Sequence, residues 1–138
     1  MTKVVLDTSV YVSWLNQGLH AEWLLGPGVV RCLSAVVLME LRVGATTRRA
    51  RRAVSQLVRP YETSGRLVAP SARLFDEAAI VLQRLRMRGL EVRRASLVND
   101  VLIALTARAM GATVVTANAA DFQAIRDSRR FSLHVIEA

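Results

Sequence analysis

A chain of 138 residues is long enough to bury one hydrophobic core, so we predict a single domain spanning residues 1–138. Hydrophobic residues make up 52% of the chain, which excludes a disordered polypeptide, and they come in runs too short to cross a membrane. The one cysteine cannot form an internal disulfide, and Asp7 precedes any hydrophobic signal-peptide core. We therefore expect a cytoplasmic protein with no membrane association.

The chain is strongly basic. Its 19 Lys and Arg residues oppose 11 Asp and Glu residues, giving a net charge of +8, and every basic residue except Lys3 is an arginine. A high arginine content can reflect genomic base composition alone, but a net positive field favours a polyanionic partner. The charge therefore indicates a nucleic acid or an acidic protein as partner, with nucleic acid favoured.

The first third of the chain alternates short apolar runs with helical patterns. These patterns predict buried strands at Lys3–Leu6 and Val29–Leu33. They also predict a helix at Val10–Asn16, one further helical turn at Ala21–Leu25, and a second helix that follows Ser34 and ends at Val43. Gly18 follows the first helix as a C-terminal stop. Ser34 is a natural N-cap for the second helix, and Gly44 is its predicted end.

The rest of the chain continues this alternation. We predict a helix that Thr46 caps and Pro60 ends, a helix from Ser71 to Arg88, a helix at Leu97–Met110 capped by Ser96, and a short helix at Ala119–Arg126. The predicted strands between and after them are Arg66–Ala69, Thr113–Thr116 and Phe131–Ile136. Strands that alternate with helices imply parallel pairing through right-handed crossovers. We therefore predict an α/β fold, a three-layer α/β/α sandwich around a small, mostly parallel central sheet.

Four acidic residues lie where a solvated surface charge is not expected. Asp7 ends a buried strand, and Asp121 follows the strand Thr113–Thr116 by one loop. Glu40 and Asp100 fall on apolar stripes of their helices, so their side chains should face the core. Each aspartate, taken alone, also has a structural explanation as a helix cap or as a favourable charge near a helix N-terminus. Glu40 has no such explanation.

Together the four carboxylates predict a metal site. Strand ends and returning helix starts meet at one edge of a parallel sheet, which would bring Asp100 towards Asp7. Converging carboxylates without basic partners repel one another, and a hard divalent cation, Mg²⁺ or Mn²⁺, resolves that repulsion. Neither histidine lies in these segments and Cys32 stands alone, so zinc has no ligand set. A carboxylate-bound cation beside a basic surface indicates phosphodiester hydrolysis.

Four segments, in this order, resemble PIN-domain ribonucleases, and most of all the VapC toxins of bacterial toxin–antitoxin pairs: Val4–Ser9, Met39–Gly44, Asn99–Ala104 and Val114–Phe122. Asp-Thr-Ser alone is a weak signal, the Thr-x-Asn-x-x-Asp-Phe segment is fairly specific, and four segments in the right order are a strong one. The likeness spans nearly the whole chain. It implies a PIN-like fold and a Mg²⁺-dependent endoribonuclease.

The resemblance also implies a role for individual positions. The catalytic acidic set would be Asp7, Glu40, Asp100 and Asp121. Within this set the metal ligands would be Asp7, Asp100 and Asp121, while Glu40 would be a further ligand or a base-orienting group. The supporting polar residues, which would orient a carboxylate, a water molecule or a phosphate, would be Ser9, Thr116 and Asn118. Asn99 would be either a group that supports the ligands or a helix-start residue, and we favour the helix-start interpretation.

We expect arginine side chains to bind the RNA, because a guanidinium binds phosphate through two parallel hydrogen bonds. The candidates form two clusters, one of Arg48, Arg49, Arg51 and Arg52 and the other of Arg93 and Arg94. The first cluster is equally explained as a solvated helix face. The VapC resemblance further implies a cognate antitoxin and a homodimer. The apolar residues that would suit an antitoxin groove, or an ordinary core, are Trp14, Leu15, Trp23 and Leu24.

Other functions stay open at this point. A non-catalytic RNA-binding or scaffold protein on the same fold would bind RNA without a need for divalent metal. A housekeeping RNA-processing PIN nuclease would share the site but would need no antitoxin. A phosphatase of the haloacid-dehalogenase type is disfavoured, because it needs a second aspartate two residues after the first, and Ser9 stands there.

Overall fold

The computed structural model describes residues 2–137, so the two ends of the predicted domain, Met1 and Ala138, lie outside the described residues. Within it the strands are β1 (Thr2–Leu6), β2 (Val29–Ser34), β3 (Leu67–Val68), β4 (Thr113–Thr116) and β5 (Leu133–Val135). All five strands that we predicted are confirmed. The last is shorter than predicted, since Phe131 lies in the core before β5 begins, edge-on to Phe122 at 6.4 Å.

The helices in the same residues are α1 (Thr8–Gln17), α2 (Ala21–Leu25), α3 (Ala35–Gly44), α4 (Arg48–Thr63), α5 (Ala72–Met87), α6 (Ala95–Ala109) and α7 (Ala119–Ser128). The side-chain oxygens of Ser34, Thr47 and Ser71 accept first-turn backbone N–H bonds in α3, α4 and α5 at 3.0–3.2 Å. These bonds satisfy donors that a helix start otherwise leaves unpaired. Gly18 ends α1 in the left-handed conformation, with φ of 68°.

The prediction that Pro60 ends its helix is wrong. Pro60 lies inside α4, which continues to Thr63. A proline in the last turn removes a single intrahelical hydrogen bond. The following residue is anchored from outside the helix, because the hydroxyl of buried Tyr61 accepts a hydrogen bond from the Tyr11 hydroxyl at 3.1 Å. Tertiary packing of this turn therefore outweighs the local cost of the proline.

Two predicted helix starts are also wrong. The N-cap of α4 is Thr47 rather than Thr46, a choice that two adjacent threonines do not reveal by residue type. Helix α6 begins at Ala95, before the predicted cap Ser96, and the N-cap position belongs to Arg94. Asp100 therefore lies in the second turn of α6, where the favourable charge of the helix N-terminus has largely faded.

The strands form one sheet in the order β3-β2-β1-β4-β5, and every neighbouring pair is parallel. Central β1 pairs with β2 on one side and with β4 on the other, where Leu6 is in register with Val115. The chain runs outward from β1 to β3 and then crosses back to β4, so the strand order reverses between β1 and β4. In open parallel sheets the binding crevice forms outside the carboxyl ends of the strands at such a reversal.

Helices cover both faces of this sheet. Helix α1 contacts α2 and α3, and α3 contacts α4, whereas α5, α6 and α7 contact one another. This confirms the predicted three-layer α/β/α sandwich. Residues 101–107 of α6 are all buried, because α6 packs between the sheet and its two neighbouring helices. In residues 2–137 no helix has both the length and the apolar character that crossing a membrane requires.

Candidate active site

Asp7 directly follows β1 and is 4% exposed. Its two carboxylate oxygens accept hydrogen bonds from the hydroxyls of Ser9, at 2.6 Å, and Thr116, at 2.8 Å. Although Asp7 occupies the N-cap position of α1, its side chain makes no well-aligned capping hydrogen bond. Burial raises the pKa of Asp7, and this rise is opposed first by the hydroxyls of Ser9 and Thr116 and then by the backbone N–H groups of Val10 and Ser9. The carboxylate is therefore held beside the reversal of the sheet mainly by the two hydroxyls.

The hydroxyls around Asp7 belong to a wider network at the ends of β1 and β4. The backbone N–H of Asp7 donates to the carbonyl oxygen of Val115 at 2.9 Å, which joins the two strand ends. Ser9 Oγ also accepts the backbone N–H of Ala117 at 3.1 Å. Thr116 Oγ1 accepts the backbone N–H of Asn118 at 2.9 Å. Two of the three predicted supporting residues thus contact Asp7 directly, and Asn118 takes part through its backbone.

Glu40, on α3, is half-buried and is held by two side chains from other helices. Thr8 Oγ1, from the first residue of α1, donates to Glu40 Oε1 at 2.6 Å. Asn99 Nδ2, from α6, donates to Glu40 Oε2 at 3.3 Å. The favoured interpretation of Asn99 as a helix-start residue is therefore wrong, because α6 begins at Ala95. The alternative, a group that supports an acidic residue, agrees with the amide reaching Glu40 on α3. Sequence analysis missed Thr8, although its place between Asp7 and Ser9 was a usable signal.

Asp100 is half-buried in the second turn of α6, just before the fully buried part of that helix. Burial raises the pKa of Asp100 to about 8, and the negative charges of Asp7, Glu40 and Asp121 add to this effect, in that order. Arg94 opposes the rise. All four predicted carboxylates therefore interact electrostatically at one place, the edge of the sheet where β1 and β4 end.

Asp121 lies in the first turn of α7 and pairs with a cation. The guanidinium of Arg94 donates to both of its carboxylate oxygens, at 3.2 and 3.3 Å. The side chains of Arg94 and Asp121 are 44% and 26% exposed. Arg93, by contrast, is turned away and pairs with Glu91 at 3.2 Å. Of the two arginines predicted in this segment, only Arg94 therefore reaches the carboxylates.

The arginines of α4 are exposed: Arg48, Arg49, Arg51 and Arg52. Arg49 lines a cavity of about 390 Å³ between α1, α3 and α4, and Glu40 lines the same cavity together with apolar residues such as Leu15. One member of the cluster is thus connected to the carboxylate site. The other three extend along the surface of α4.

The donor set suits a hard divalent cation, because it consists of carboxylate oxygens. Among residues 2–137, however, no three acidic, histidine or cysteine side chains lie close enough together to enclose a metal ion. Mg²⁺ keeps several water molecules and takes only one or two protein carboxylates in many sites, so a closed cage is not required. Asp7 has the largest electrostatic effect of any charged group on Asp100. These residues therefore fit a partly hydrated cation held between Asp7 and Asp100.

Residues 4–127 of the chain match the family model of the PIN domain. No curated protein sequence matches the chain.

Solved structures resemble the chain along its whole length. A chain in the crystal structure of VapBC2 from Rickettsia felis, bound to a promoter DNA fragment, is 23% identical with a TM-score of 0.74, over 99% of this chain and 100% of that one. A chain of VapBC-1 from nontypeable Haemophilus influenzae is 22% identical with a TM-score of 0.72, over 97% and 98%. A chain of VapBC-5 from Mycobacterium tuberculosis is 27% identical with a TM-score of 0.56, over 100% of both.

Proposed function

Because the chain belongs to the PIN domain family, whose members are generally nucleases, we propose that it is a Mg²⁺-dependent endoribonuclease and the toxin of a toxin–antitoxin pair. One observation supports this most: the half-buried Asp100 lies within electrostatic reach of Asp7, Glu40 and Asp121. Asp121 pairs with Arg94, but Asp7, Glu40 and Asp100 form no ion pair among residues 2–137. Buried or half-buried carboxylates without a cation are costly, and a bound metal ion would offset that cost. The enzyme would act as a single domain in the cytoplasm.

The metal would be held by Asp7 and Asp100 as principal ligands, with Asp121 as a second ligand or a contact through water. When bound, Mg²⁺ or Mn²⁺ would activate water and neutralise charge on the phosphate. Ser9 and Thr116 keep the Asp7 carboxylate in one orientation, because each donates to a different oxygen. Glu40, fixed by Thr8 and Asn99, would hold and orient the attacking water or complete the ligand set.

RNA phosphates would be bound by arginines that border the site. Arg94 lies at the start of α6 with its side chain 44% exposed, so it can reach both Asp121 and a phosphate. Arg49 lines the cavity that Glu40 also lines, and Arg48, Arg51 and Arg52 would extend the contact along α4. Arg93 would need to leave Glu91 to take part. A guanidinium provides paired donors that match phosphate oxygens.

The proposed partner is a cognate antitoxin. The similar solved structures come from VapBC complexes, one of them described as a member of a family of toxin–antitoxin systems. A cavity of about 430 Å³ between α1, α2 and α4 offers an apolar surface for such a partner, lined among others by Trp14, Leu15, Leu24 and Leu25. Leu25 is 70% exposed. The VapC likeness also leads us to propose a homodimer.

The nuclease proposal is tested by incubating end-labelled RNA with the purified chain and Mg²⁺, then chelating with EDTA, then restoring Mn²⁺. We expect internal cleavage that stops with EDTA and resumes with the added metal. RNA binding that depends on salt but never leads to cleavage would favour the non-catalytic RNA-binding alternative. Cleavage without any neighbouring antitoxin gene would favour the RNA-processing alternative.

A further inference from the structure

A second group of arginines lies at the edge of the sheet opposite the carboxylates. Helices α5, α6 and α7 all end at this edge, because each runs antiparallel to the strands on which it packs. Two contacts confirm that their ends meet: Arg88 pairs with Asp127 at 3.9 Å, and Arg108 Nε donates to the carbonyl oxygen of Arg130 at 3.1 Å. We call this group the distal arginine surface: Arg84, Arg86, Arg88, Arg108, Arg126, Arg129 and Arg130.

The distal arginine surface is accessible and poorly neutralised. Six of its seven side chains are exposed, and Arg129 is half-buried. The three chain segments that form it, 84–88, 108–112 and 126–130, contain a single carboxylate, Asp127. Like charges gathered in this way repel one another, which costs folding free energy unless an anion compensates for it.

Helix dipoles explain only part of this accumulation. A cation in the last turn of a helix gains roughly 0.3–1 kcal/mol from the helix dipole. Four of the arginines are in last turns: Arg84, Arg86, Arg108 and Arg126. Arg88 and Arg129 occupy the C-cap positions of α5 and α7, and Arg130 lies one residue further on. Seven guanidinium groups therefore share the ends of three helices, and their mutual repulsion remains.

A shallow, open depression of about 590 Å³ lies at this surface, between α5 and α7. Its lining includes Arg84 and Arg88, and also Asp127, the carboxylate that pairs with Arg88. The guanidinium of Arg84 forms no ion pair or hydrogen bond among the described residues, so it is available to bind a phosphate oxygen.

We propose that the distal arginine surface binds the phosphate backbone of a structured RNA, at a distance from the cleavage site. Arg94 at the start of α6 and Arg108 in its last turn are separated by 14 residues, or about 21 Å along the helix axis. A molecule that touches both ends must therefore be long or folded, and a short strand at the carboxylates cannot reach the surface. The choice of RNA as the ligand rests on the proposed function, whereas the inference that the ligand carries phosphate groups rests on the arginines alone.

The test replaces two distal arginines whose side chains make no hydrogen bond among the described residues, in the double variant Arg126→Gln/Arg130→Gln. The matched control, Arg59→Gln/Arg73→Gln, removes the same charge from exposed positions on α4 and α5. Binding is measured in EDTA by fluorescence anisotropy, with a long RNA hairpin and a DNA duplex of equal length. Cleavage of a labelled trinucleotide is measured separately in Mg²⁺.

In the distal variant we expect the Kd for the hairpin to rise roughly tenfold and the slope of log Kd against log salt to fall by about 1.5. The variant should cleave the trinucleotide at the rate of the parent chain. An unchanged Kd, an equal loss in the control, or a loss for DNA alone would overturn the proposal. Hairpin binding is measured without metal, so it does not depend on cleavage. If the parent chain cleaves no RNA and the distal variant still binds the hairpin more weakly than the parent, the RNA-binding role of the distal arginine surface is supported and the nuclease proposal is refuted.

Discussion

The guanidinium of Arg94 lies 3.2 Å and 3.3 Å from the two carboxylate oxygens of Asp121. Arg94 precedes α6 and Asp121 opens α7, so this pair joins the starts of two helices at the carboxylate site. It is the one ion pair within residues 2–137 that involves a site carboxylate. A cation of the chain itself therefore neutralises one of the four acidic groups.

This pairing predicts that Arg94 competes with the metal. In Arg94→Gln the site loses a positive charge and Asp121 is freed, so we expect Mn²⁺ to bind severalfold more tightly in calorimetric titration. RNA should bind more weakly, since the proposed phosphate contact of Arg94 would be lost. Arg93→Gln is the matched control, because Arg93 pairs with Glu91 outside the site. Equal Mn²⁺ affinity in the two variants would show that Arg94 has no such role.

The raised pKa of Asp100 predicts how the stability of the metal-free protein depends on pH. Asp100 has a pKa of about 8 in the folded chain and a usual value of 3.8, so the folded state holds more protons between those two values. The free energy of unfolding should therefore fall as the pH rises from about 4 to about 8. Burial raises the pKa of Asp7 as well, and this acts in the same direction.

Urea unfolding in EDTA across this pH range measures the effect. In Asp100→Asn the free energy of unfolding should change less with pH than in the parent chain. Near pH 8 the variant should be more stable than the parent chain, because the neutral amide needs no proton. Added Mn²⁺ should stabilise the parent chain at high pH far more than it stabilises the variant. A metal-free parent chain whose stability rises throughout this pH range would contradict the burial of an unneutralised Asp100.

Thr116 is predicted to stabilise the fold and to orient Asp7. It is fully buried, donates to Asp7 and accepts from the backbone of Asn118. Thr116→Val keeps the shape but leaves both partners unpaired, so we expect a loss of about 1–3 kcal/mol in urea unfolding together with a fall in cleavage rate. Thr116→Ser retains the hydroxyl and should recover most of both. If Thr116→Val cleaves RNA like the parent chain, Asp7 does not depend on this bond.

Thr8 is predicted to act through Glu40. Its hydroxyl donates to Glu40 Oε1 at 2.6 Å, and a hydrogen bond to a charged group contributes about 1.5–3 kcal/mol. Thr8→Val should therefore lower kcat for RNA cleavage about tenfold or more while changing KM little. Thr8→Ser should restore kcat. A loss confined to the melting temperature, with kcat unchanged, would assign Thr8 a structural role only.

Most of the fold was predictable because its signals are local. Ser34 and Ser71 cap helices through their own side chains, and the alternation of strands and helices restricts the sheet to parallel pairing. The prediction that Pro60 ends its helix was wrong because the contact that keeps this turn helical is not local. The turn that contains it is held by the contact between Tyr61 and Tyr11, which are 50 residues apart in sequence.

The candidate site was predictable to a similar degree. Asp7 and Asp100 could be identified because a charge at the end of an apolar strand, or on an apolar helix face, needs a compensating partner. The bonds from Thr8 and Asn99 to Glu40, and from Arg94 to Asp121, were not predicted. They join helices 27 to 59 residues apart in sequence, and no residue pattern encodes which side chains will meet.

The variant Asp7→Asn decides whether Asp7 binds a catalytic metal. Asparagine has the same shape and keeps an oxygen for one of the two hydroxyl donors. The loss of the other hydrogen bond is offset because a buried charge is removed, so the melting temperature should change little. Mn²⁺ titration and RNA cleavage should be measured on the same preparation. We expect Mn²⁺ to bind at least tenfold more weakly and cleavage to fall to background. Undiminished cleavage and unchanged Mn²⁺ affinity in a folded Asp7→Asn chain would contradict it.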